Sequence, residues 1–331
     1  SPGSAKARTR LFPACSAKKG FTHCVSSSLL RRMSDAKFSA VDDTRPTGTE
    51  RPRRTNAIDS AAPFLEQIDE RLGFLERKQI RFVRKTFDSP VIDRGVRAMQ
   101  RRFGAIWIEH ALGNIRHVHG LERVGTFDPK KSYVCVANHR SFFDLYVITS
   151  YLVYRDLLPQ RILFPVRSNF FYDNPLGLAV NGLMSFFAMY PPIFRDKKKA
   201  DLNIAGLQEV IGLLKRGGFF LGMHPEGQRN QDGNPYELLP PKPGVGRIIH
   251  MAQPEVIPVF VNGLGNDFVA QIKGNFDRSA SPVHVVFGKP LDMKSFYERP
   301  ATMGTFRDIA SHCMEAVAEL GQEEKAIRAR G

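Results

Sequence analysis

The chain has 331 residues, of which 42% are hydrophobic, so it is long enough for one large domain or two modest ones. Its four cysteines, at positions 15, 24, 135 and 313, show neither the paired spacing of a metal site nor the density of a disulfide scaffold, which favours a reducing compartment. The formal net charge of +15 favours an acidic partner, namely nucleic acid, an anionic membrane surface or a phosphorylated substrate. The sequence contains no uninterrupted run of 18 apolar residues, so no transmembrane helix is predicted.

Residues 1–58 are rich in Ser, Thr, Arg, Pro and Ala and have no sustained helical or strand period, which predicts a disordered basic segment. Residues 1–34 contain seven Lys or Arg and no acidic residue. One interpretation is a transit peptide. The other interpretation, which we favour, is that the start of the chain is artificial or wrongly assigned, since Met33 opens the plausible beginning "MSDAKFSAVDD".

Residues 62–114 are expected to form a helical, membrane-proximal segment. A first helix is indicated by an apolar stripe of Leu65, Ile68, Leu72 and Leu75. Ser89 and Pro90 are typical of a second helix start, with an apolar stripe at Ile92, Val96, Met99, Phe103 and Ile106 and arginines at 94, 97, 101 and 102. Such a basic amphipathic helix either lies on a membrane or packs on the rest of the protein.

From about residue 115 to 325, short apolar runs alternate with helical stretches, which predicts an α/β domain with a largely parallel central sheet flanked by helices. The predicted strands are 133–137, 162–166, 189–194, 219–223, 256–261 and 283–288. The predicted helices are 144–154, 176–187, 200–215, 244–252 and 303–325.

"VANHRSFFDL", at 136–145, places His139 in the turn after a strand and Asp144 in the first turn of the next helix. Five residues apart in a continuous helix, the two side chains could not share a face, so the helix must begin between them. One interpretation is a capping box in which Ser141 is the N-cap. The other is a general base whose Nδ1–H is held by a carboxylate. The two interpretations are compatible.

Three further motifs follow in order. Arg195 ends "YPPIFR", Glu226, Gly227 and Arg229 lie in "HPEGQRN" directly after a strand, and "VIPVFV" contains Pro258. This ordered series resembles the four motifs of the glycerophospholipid acyltransferase superfamily and is most similar to those of the 1-acylglycerol-3-phosphate acyltransferases. The resemblance covers about residues 115–290. It departs from the family where His224, Gln228 and Asn230 replace the usual Phe, Thr and Ser.

The resemblance implies a role for each matching residue. His139 would be the general base, oriented by Asp144. The substrate-binding residues would be Arg167, Arg195, Glu226, Gly227 and Arg229, chiefly at the phosphorylated acceptor. Arginine suits this role because its planar fork donates two parallel hydrogen bonds to phosphate and stays charged.

The expected reaction transfers a fatty acyl group from an acyl thioester to the free hydroxyl of 1-acylglycerol-3-phosphate in phospholipid synthesis. Other acceptors stay open: glycerol 3-phosphate, another lysophospholipid or a lyso-aminolipid. An alternative of another class is a non-catalytic lipid-binding protein. We expect no metal and no cofactor, and acyl-CoA or acyl-carrier protein as co-substrate.

The partners expected besides the substrates are a membrane surface but no nucleic acid, because no recognised nucleic-acid motif occurs. We expect a cytoplasmic protein bound peripherally to the inner face of the membrane. The sequence leaves the oligomeric state, the acyl-chain length and the acceptor headgroup open.

Overall fold

The computed structural model of the chain describes residues 71–104, 106–168, 172, 179, 181–182, 185–194, 196–199, 201–230, 233–265 and 267–330. Several predicted features lie outside these residues: the disordered segment at 1–58, the alternative start at Met33, most of the helix at 176–187, and Arg195.

The helices, in chain order, are α1 Phe74–Asp88, α2 Pro90–Met99, α3 Ile106–Leu112, α4 Asp144–Tyr154, α5 Leu202–Lys215, α6 Pro243–Ala252, α7 Phe268–Asp277, α8 Lys294–Tyr297 and α9 Met303–Arg328. The strands are β1 Arg116–His119, β2 Tyr133–Ala137, β3 Arg161–Leu163, β4 Val166–Arg167, β5 Pro192–Ile193, β6 Phe219–Met223, β7 Glu255–Asn262 and β8 Val283–Phe287.

The central sheet has six strands in the order β1-β8-β7-β2-β6-β3. Strands β7, β2, β6 and β3 are parallel, β8 runs antiparallel to β7, and β1 pairs parallel to β8. Helices α6 and α9 pack together, and α9 also packs across β7 and β8. The predicted α/β fold with a largely parallel sheet is thereby confirmed. Parallel strands place their carboxyl ends at one edge, so the turns after β2 and β6 are neighbours.

Some elements differ from their predictions. The strand predicted at 189–194 is reduced to β5, which pairs with β4 in a separate two-stranded ribbon. Two prolines explain its shortness, because proline has no N–H for a ladder hydrogen bond. Strand β1 and helices α7 and α8 were not predicted.

The second predicted helix is divided. Ser89 caps α2 as expected, because its side chain accepts a hydrogen bond from the Ile92 N–H. A π-helical turn over Gln100–Gly104 then separates α2 from α3. Within the stripe, Val96 is buried, but the remaining members, Ile92, Met99, Phe103 and Ile106, are exposed. The alternative in which the stripe packs on the protein therefore holds only for Val96.

Among the residues that the structure describes, no helix has both the length and the apolar composition needed to cross a bilayer.

The helical segment is joined to the sheet by a buried arginine. Arg161, the first residue of β3, is fully buried and donates hydrogen bonds to the Thr86 carbonyl at 2.6 Å and to Asp93 Oδ1 at 2.7 Å. Its guanidinium also lies 3.6 Å from the centre of the Phe87 ring. Burial lowers the Arg161 pKa to about 10, against the opposing effect of Asp93. The cation thus pairs the segment's carboxylate with the edge of the sheet.

We expect Arg161→Leu to lower the free energy of unfolding by about 3–5 kcal/mol, because it leaves the Asp93 carboxylate with one cation fewer in a largely buried site. Urea denaturation measures this change. The matched control is Arg101→Leu, which removes an exposed ion pair with Asp156 and should cost less than about 1 kcal/mol. Equal losses in the two variants would contradict a structural role for Arg161.

Candidate active site

A cleft opens at the carboxyl ends of β2 and β6, at the edge of the sheet where the sequence places the site. Its volume is about 1000 Å³ including the open mouth. Most lining residues are apolar: Phe142, Leu145, Tyr146, Phe164, Pro165, Val166, Met189, Ile193, Gly222 and Met223. The titratable or charged lining residues are His139, Arg167, His224 and Arg229. A basic, imidazole-containing rim therefore borders an apolar cavity.

His139 and Asp144 are in contact. His139 Nδ1 lies 3.1 Å from Asp144 Oδ2, and the carboxylate is fully buried. The same oxygen accepts the backbone N–H groups of Arg140 at 2.7 Å and Ser141 at 2.8 Å. Because an ionised carboxylate only accepts, the shared proton lies on Nδ1, which leaves Nε2 as the basic nitrogen of a neutral ring.

The helix start differs from the predicted capping box. Helix α4 begins at Asp144 itself, with Phe143 as N-cap and without a side-chain cap. The prediction that Ser141 is the N-cap is wrong, because the helix begins three residues after it; the Ser141 hydroxyl accepts from the Phe143 N–H at 3.3 Å within the preceding turn. The carboxylate of Asp144 reaches back to the Ser141 N–H. Of the two hydrogen bonds of a capping box, this bond from the Ser141 N–H to the Asp144 carboxylate is present, and it aligns Asp144 with His139.

The turn after β6 holds the main chain of His139 from both sides. Glu226 Oε1 accepts the His139 N–H at 2.7 Å, and the Asn230 N–H donates to the His139 carbonyl at 2.8 Å. The second oxygen of Glu226 accepts the Leu239 N–H at 2.9 Å. Glu226 is buried and does not line the cleft. It therefore positions His139, and its predicted contact with substrate stays a prediction.

Asn138, the residue before His139, is anchored to the neighbouring strand β7. Its side-chain amide donates to the Val261 carbonyl and accepts from the Val261 N–H, both at 2.8 Å. It thus extends the pairing of β2 with β7 by one residue through a side chain. Sequence reasoning missed this role of Asn138, for which the only signal was an asparagine at the end of an apolar strand.

Gly227 makes the turn after β6 possible. Its φ is +69°, in the left-handed region that glycine adopts without a steric cost, and its N–H donates to the His224 carbonyl at 3.0 Å. This turn brings Gly227 and Arg229 to the cleft while Glu226 points inward.

Burial and charge act in opposite directions on the two partners. Burial, followed by the positive charges of Arg229 and Arg167, lowers the His139 pKa to about 3. Burial raises the Asp144 pKa to about 6, although its backbone hydrogen bonds and nearby positive charge oppose the rise. The pair titrates as a unit, so its first proton abolishes the arrangement of neutral imidazole and carboxylate. Above about pH 6 Asp144 is ionised and the imidazole is neutral, with Nε2 as its basic nitrogen.

His224 stacks on His139, with ring centres 3.9 Å apart and planes 5° from parallel. One potential ligand atom from each of His139, Asp144 and His224 lies within 4.8 Å of the others, which is close enough for a metal ion. However, nitrogen lone pairs lie in the ring planes, and the planes of two stacked rings do not meet at one point. This geometry therefore does not suit a metal.

The predicted site residues fall into three groups. His139, Asp144, Arg167, Gly227 and Arg229 are brought to one cleft or into contact with a residue that lines it. Glu226 lies behind the site, and Arg195 lies outside the described residues. His224, which replaces the usual Phe of the third motif, is in direct contact with the imidazole of His139.

Comparisons with known proteins identify similar sequences among acyltransferases. The acyltransferase family model matches residues 115–262. The 1-acyl-sn-glycerol-3-phosphate acyltransferase alpha proteins of Bos taurus and Homo sapiens are 26% and 27% identical to this chain, over 56% and 50% of it. The chloroplastic 1-acyl-sn-glycerol-3-phosphate acyltransferase BAT2 of Brassica napus is 28% identical over 53% of it.

The matches span 61%, 53% and 44% of these three relatives, less than two thirds of each. Among solved structures, the 1-acyl-sn-glycerophosphate acyltransferase PlsC of Thermotoga maritima is 19% identical, with a TM-score of 0.44 over 79% of this chain and 93% of that one. The match of the family model and the names of the relatives confirm the resemblance drawn from the motifs. Residues 115–262 are thus similar to the acyltransferase domain of the glycerophospholipid acyltransferases.

Proposed function

We propose that the protein transfers a fatty acyl group from an acyl thioester to the free hydroxyl of a lysophospholipid, with 1-acylglycerol-3-phosphate as the acceptor. The observation that carries the proposal is the buried contact of His139 Nδ1 with Asp144 beside a cleft that is both apolar and basic. His139 Nε2 takes the proton of the acceptor hydroxyl as its oxygen attacks the thioester carbonyl. The C–S bond then breaks, and the imidazolium returns the proton to the leaving thiolate.

Two arginines support a phosphate-bearing acceptor. Arg167 and Arg229 line the cleft from β4 and from the turn after β6, and both act electrostatically on His139. Their effect is to disfavour a charged imidazole, which keeps the base neutral until it meets the hydroxyl proton. Arg195 is proposed as a third phosphate ligand on the resemblance alone.

The apolar lining of the cleft supports the binding of acyl chains next to the base. Leu145, Tyr146, Phe164 and Met189 lie among the residues that form it. The proposed donor is acyl-CoA or acyl-carrier protein. A thioester is already activated for attack, so the proposed chemistry uses a base and no metal or cofactor.

The exposed stripe supports peripheral attachment to a membrane. Ile92, Met99, Phe103 and Ile106 are exposed within a segment that also contains Arg94, Arg101 and Arg102. Exposed apolar residues flanked by arginines suit the boundary between acyl chains and anionic headgroups. We propose that this surface rests on the inner face of the cytoplasmic membrane.

Replacing His139 by Ala should lower kcat by about 10²–10⁴-fold, because it removes the proposed general base. The measurement is the transfer of radiolabelled acyl groups from acyl-CoA to 1-acylglycerol-3-phosphate, with thermal unfolding as a check of the fold. His110→Ala is the matched control, since His110 is exposed and lies outside the cleft. An unchanged rate would refute the base assignment. Lysophospholipid binding without turnover in the native protein would favour the non-catalytic alternative.

Replacing Arg229 by Ala should raise the KM for 1-acylglycerol-3-phosphate about 10- to 100-fold, because charge-assisted hydrogen bonds to the phosphate are lost. A parallel assay with phosphate-free 1-monoacylglycerol should show a much smaller change. Arg167→Ala and Arg195→Ala should behave alike. The exposed Arg278 provides the control substitution Arg278→Ala. Equal effects on both acceptors would exclude a phosphate contact.

Replacing Phe103 by Asp should weaken binding to vesicles of phosphatidylethanolamine and phosphatidylglycerol about 10- to 100-fold, the equivalent of one aromatic side chain withdrawn from lipid. Co-sedimentation with the vesicles measures the binding. Met303→Asp is the control, because Met303 at the start of α9 is 54% exposed, against 52% for Phe103. If both variants bind as the native chain does, the stripe is not the membrane contact.

A further inference from the structure

His224, three residues before Gly227, is part of an imidazole pair that the proposed mechanism does not use. His224 directly follows β6, and its ring lies parallel to that of His139 at 3.9 Å. Its Nδ1 lies 3.0 Å from the carbonyl oxygen of Ala137, the last residue of β2. Since a carbonyl only accepts, His224 donates from Nδ1, and because burial lowers its pKa to about 3, the neutral ring carries its proton on that nitrogen.

We propose that His224 is a positioning residue: its ring, held by the hydrogen bond to the Ala137 carbonyl, covers one face of the His139 imidazole and keeps His139 oriented and shielded from water. The expected effect on activity rests on the proposed function. The stacking and shielding of His139 do not, because they concern the protein without substrate.

The geometry gives His224 two separate means of acting. The stack limits rotation of the His139 ring about the bond to its Cβ, a motion that the single contact with Asp144 at 3.1 Å would permit. The hydrogen bond fixes the His224 ring in turn, because Ala137 lies in the strand that leads to His139. A phenyl ring could stack in the same way, but it could not donate to Ala137.

Charge limits which ring can take a proton. The titratable and charged groups around the pair are Asp144 at the start of α4, Arg140 beside it, Arg167 on β4, and Glu226 and Arg229 in the turn after β6. Burial, followed by the charge on His139, lowers the His224 pKa to about 3. A proton on one ring therefore opposes a proton on the other. His224 stays neutral while His139 accepts the proton of the reaction.

The largest influence on His139 itself is burial, which lowers its pKa. The His224 ring contributes to that burial by covering one face. Without the ring, water reaches His139 and its pKa rises toward the ordinary value. The neutral, basic form of His139 is then lost at a higher pH as the pH falls than in the native protein.

Three substitutions separate the ring from the hydrogen bond. His224→Phe keeps a stacking ring without the donor, His224→Asn keeps a donor near the position of Nδ1 without the ring, and His224→Ala keeps neither. The first readout is the pKa of the ¹³C-labelled His139 imidazole, obtained by NMR titration of the full chain without substrate. The second is the pH profile of kcat and KM for acyl transfer. The His139 resonance is assigned with His139→Gln.

We expect the Ala and Asn variants to raise the pKa of His139 by about one unit, and to lower kcat about 10- to 100-fold with little change in KM. Phe should restore the native pKa of His139 and most of kcat. A native titration in all variants would overturn the proposal, as would restoration by Asn and not by Phe. If Ala fails to fold, the comparison of Phe with Asn still decides. If the native protein transfers no acyl groups, the proposed function fails while the titration still tests the stack.

Discussion

Two backbone hydrogen bonds hold His139 between the end of β2 and the turn after β6, and the remaining features of the site depend on them. Glu226 accepts the His139 N–H, and Asn230 donates to its carbonyl. A carboxylate buried this deeply is costly unless its oxygens are occupied, and both oxygens of Glu226 accept backbone N–H groups. The motif that contains Glu226, 87 residues after His139, therefore supports the motif that contains His139, because it fixes the backbone of His139.

Once the peptide is fixed, one environment produces the two protonation states that the chemistry requires. Burial disfavours charge on His139 and on Asp144 alike, but Asp144 lies at the positive end of α4 and receives three hydrogen bonds on one oxygen. These donors oppose the cost of its burial, whereas Arg167 and Arg229 add to the cost of charging His139. The arginines that suit a substrate phosphate thus also keep the base neutral before the substrate binds.

The sequence predicted the parts of the structure that depend on local pattern. The apolar runs at 133–137 and 219–223 are the strands β2 and β6 with the same bounds, and the ordered motifs placed His139 and Asp144 at one edge of the sheet. What it missed depends on tertiary contacts. The two backbone hydrogen bonds that Glu226 accepts, from the N–H groups of His139 and Leu239, join segments far apart in the chain. Ser141 fits a cap in sequence, but the helix begins at Asp144 and its N-cap is Phe143. No local pattern reveals that His224 and His139, from different strands, are stacked.

The buried arginine of β3 joins the chemistry to the exposed stripe. Arg161 holds Thr86 and Asp93 of the helical segment against the sheet, and Arg97 of α2 donates to the Gly218 carbonyl at 2.6 Å, immediately before β6. Strand β6 leads directly into the turn that clamps His139. The stripe and the base are therefore attached to the same strands, with few intervening bonds that could rotate. A surface that holds the protein on lipid would then also restrain the orientation of the cleft.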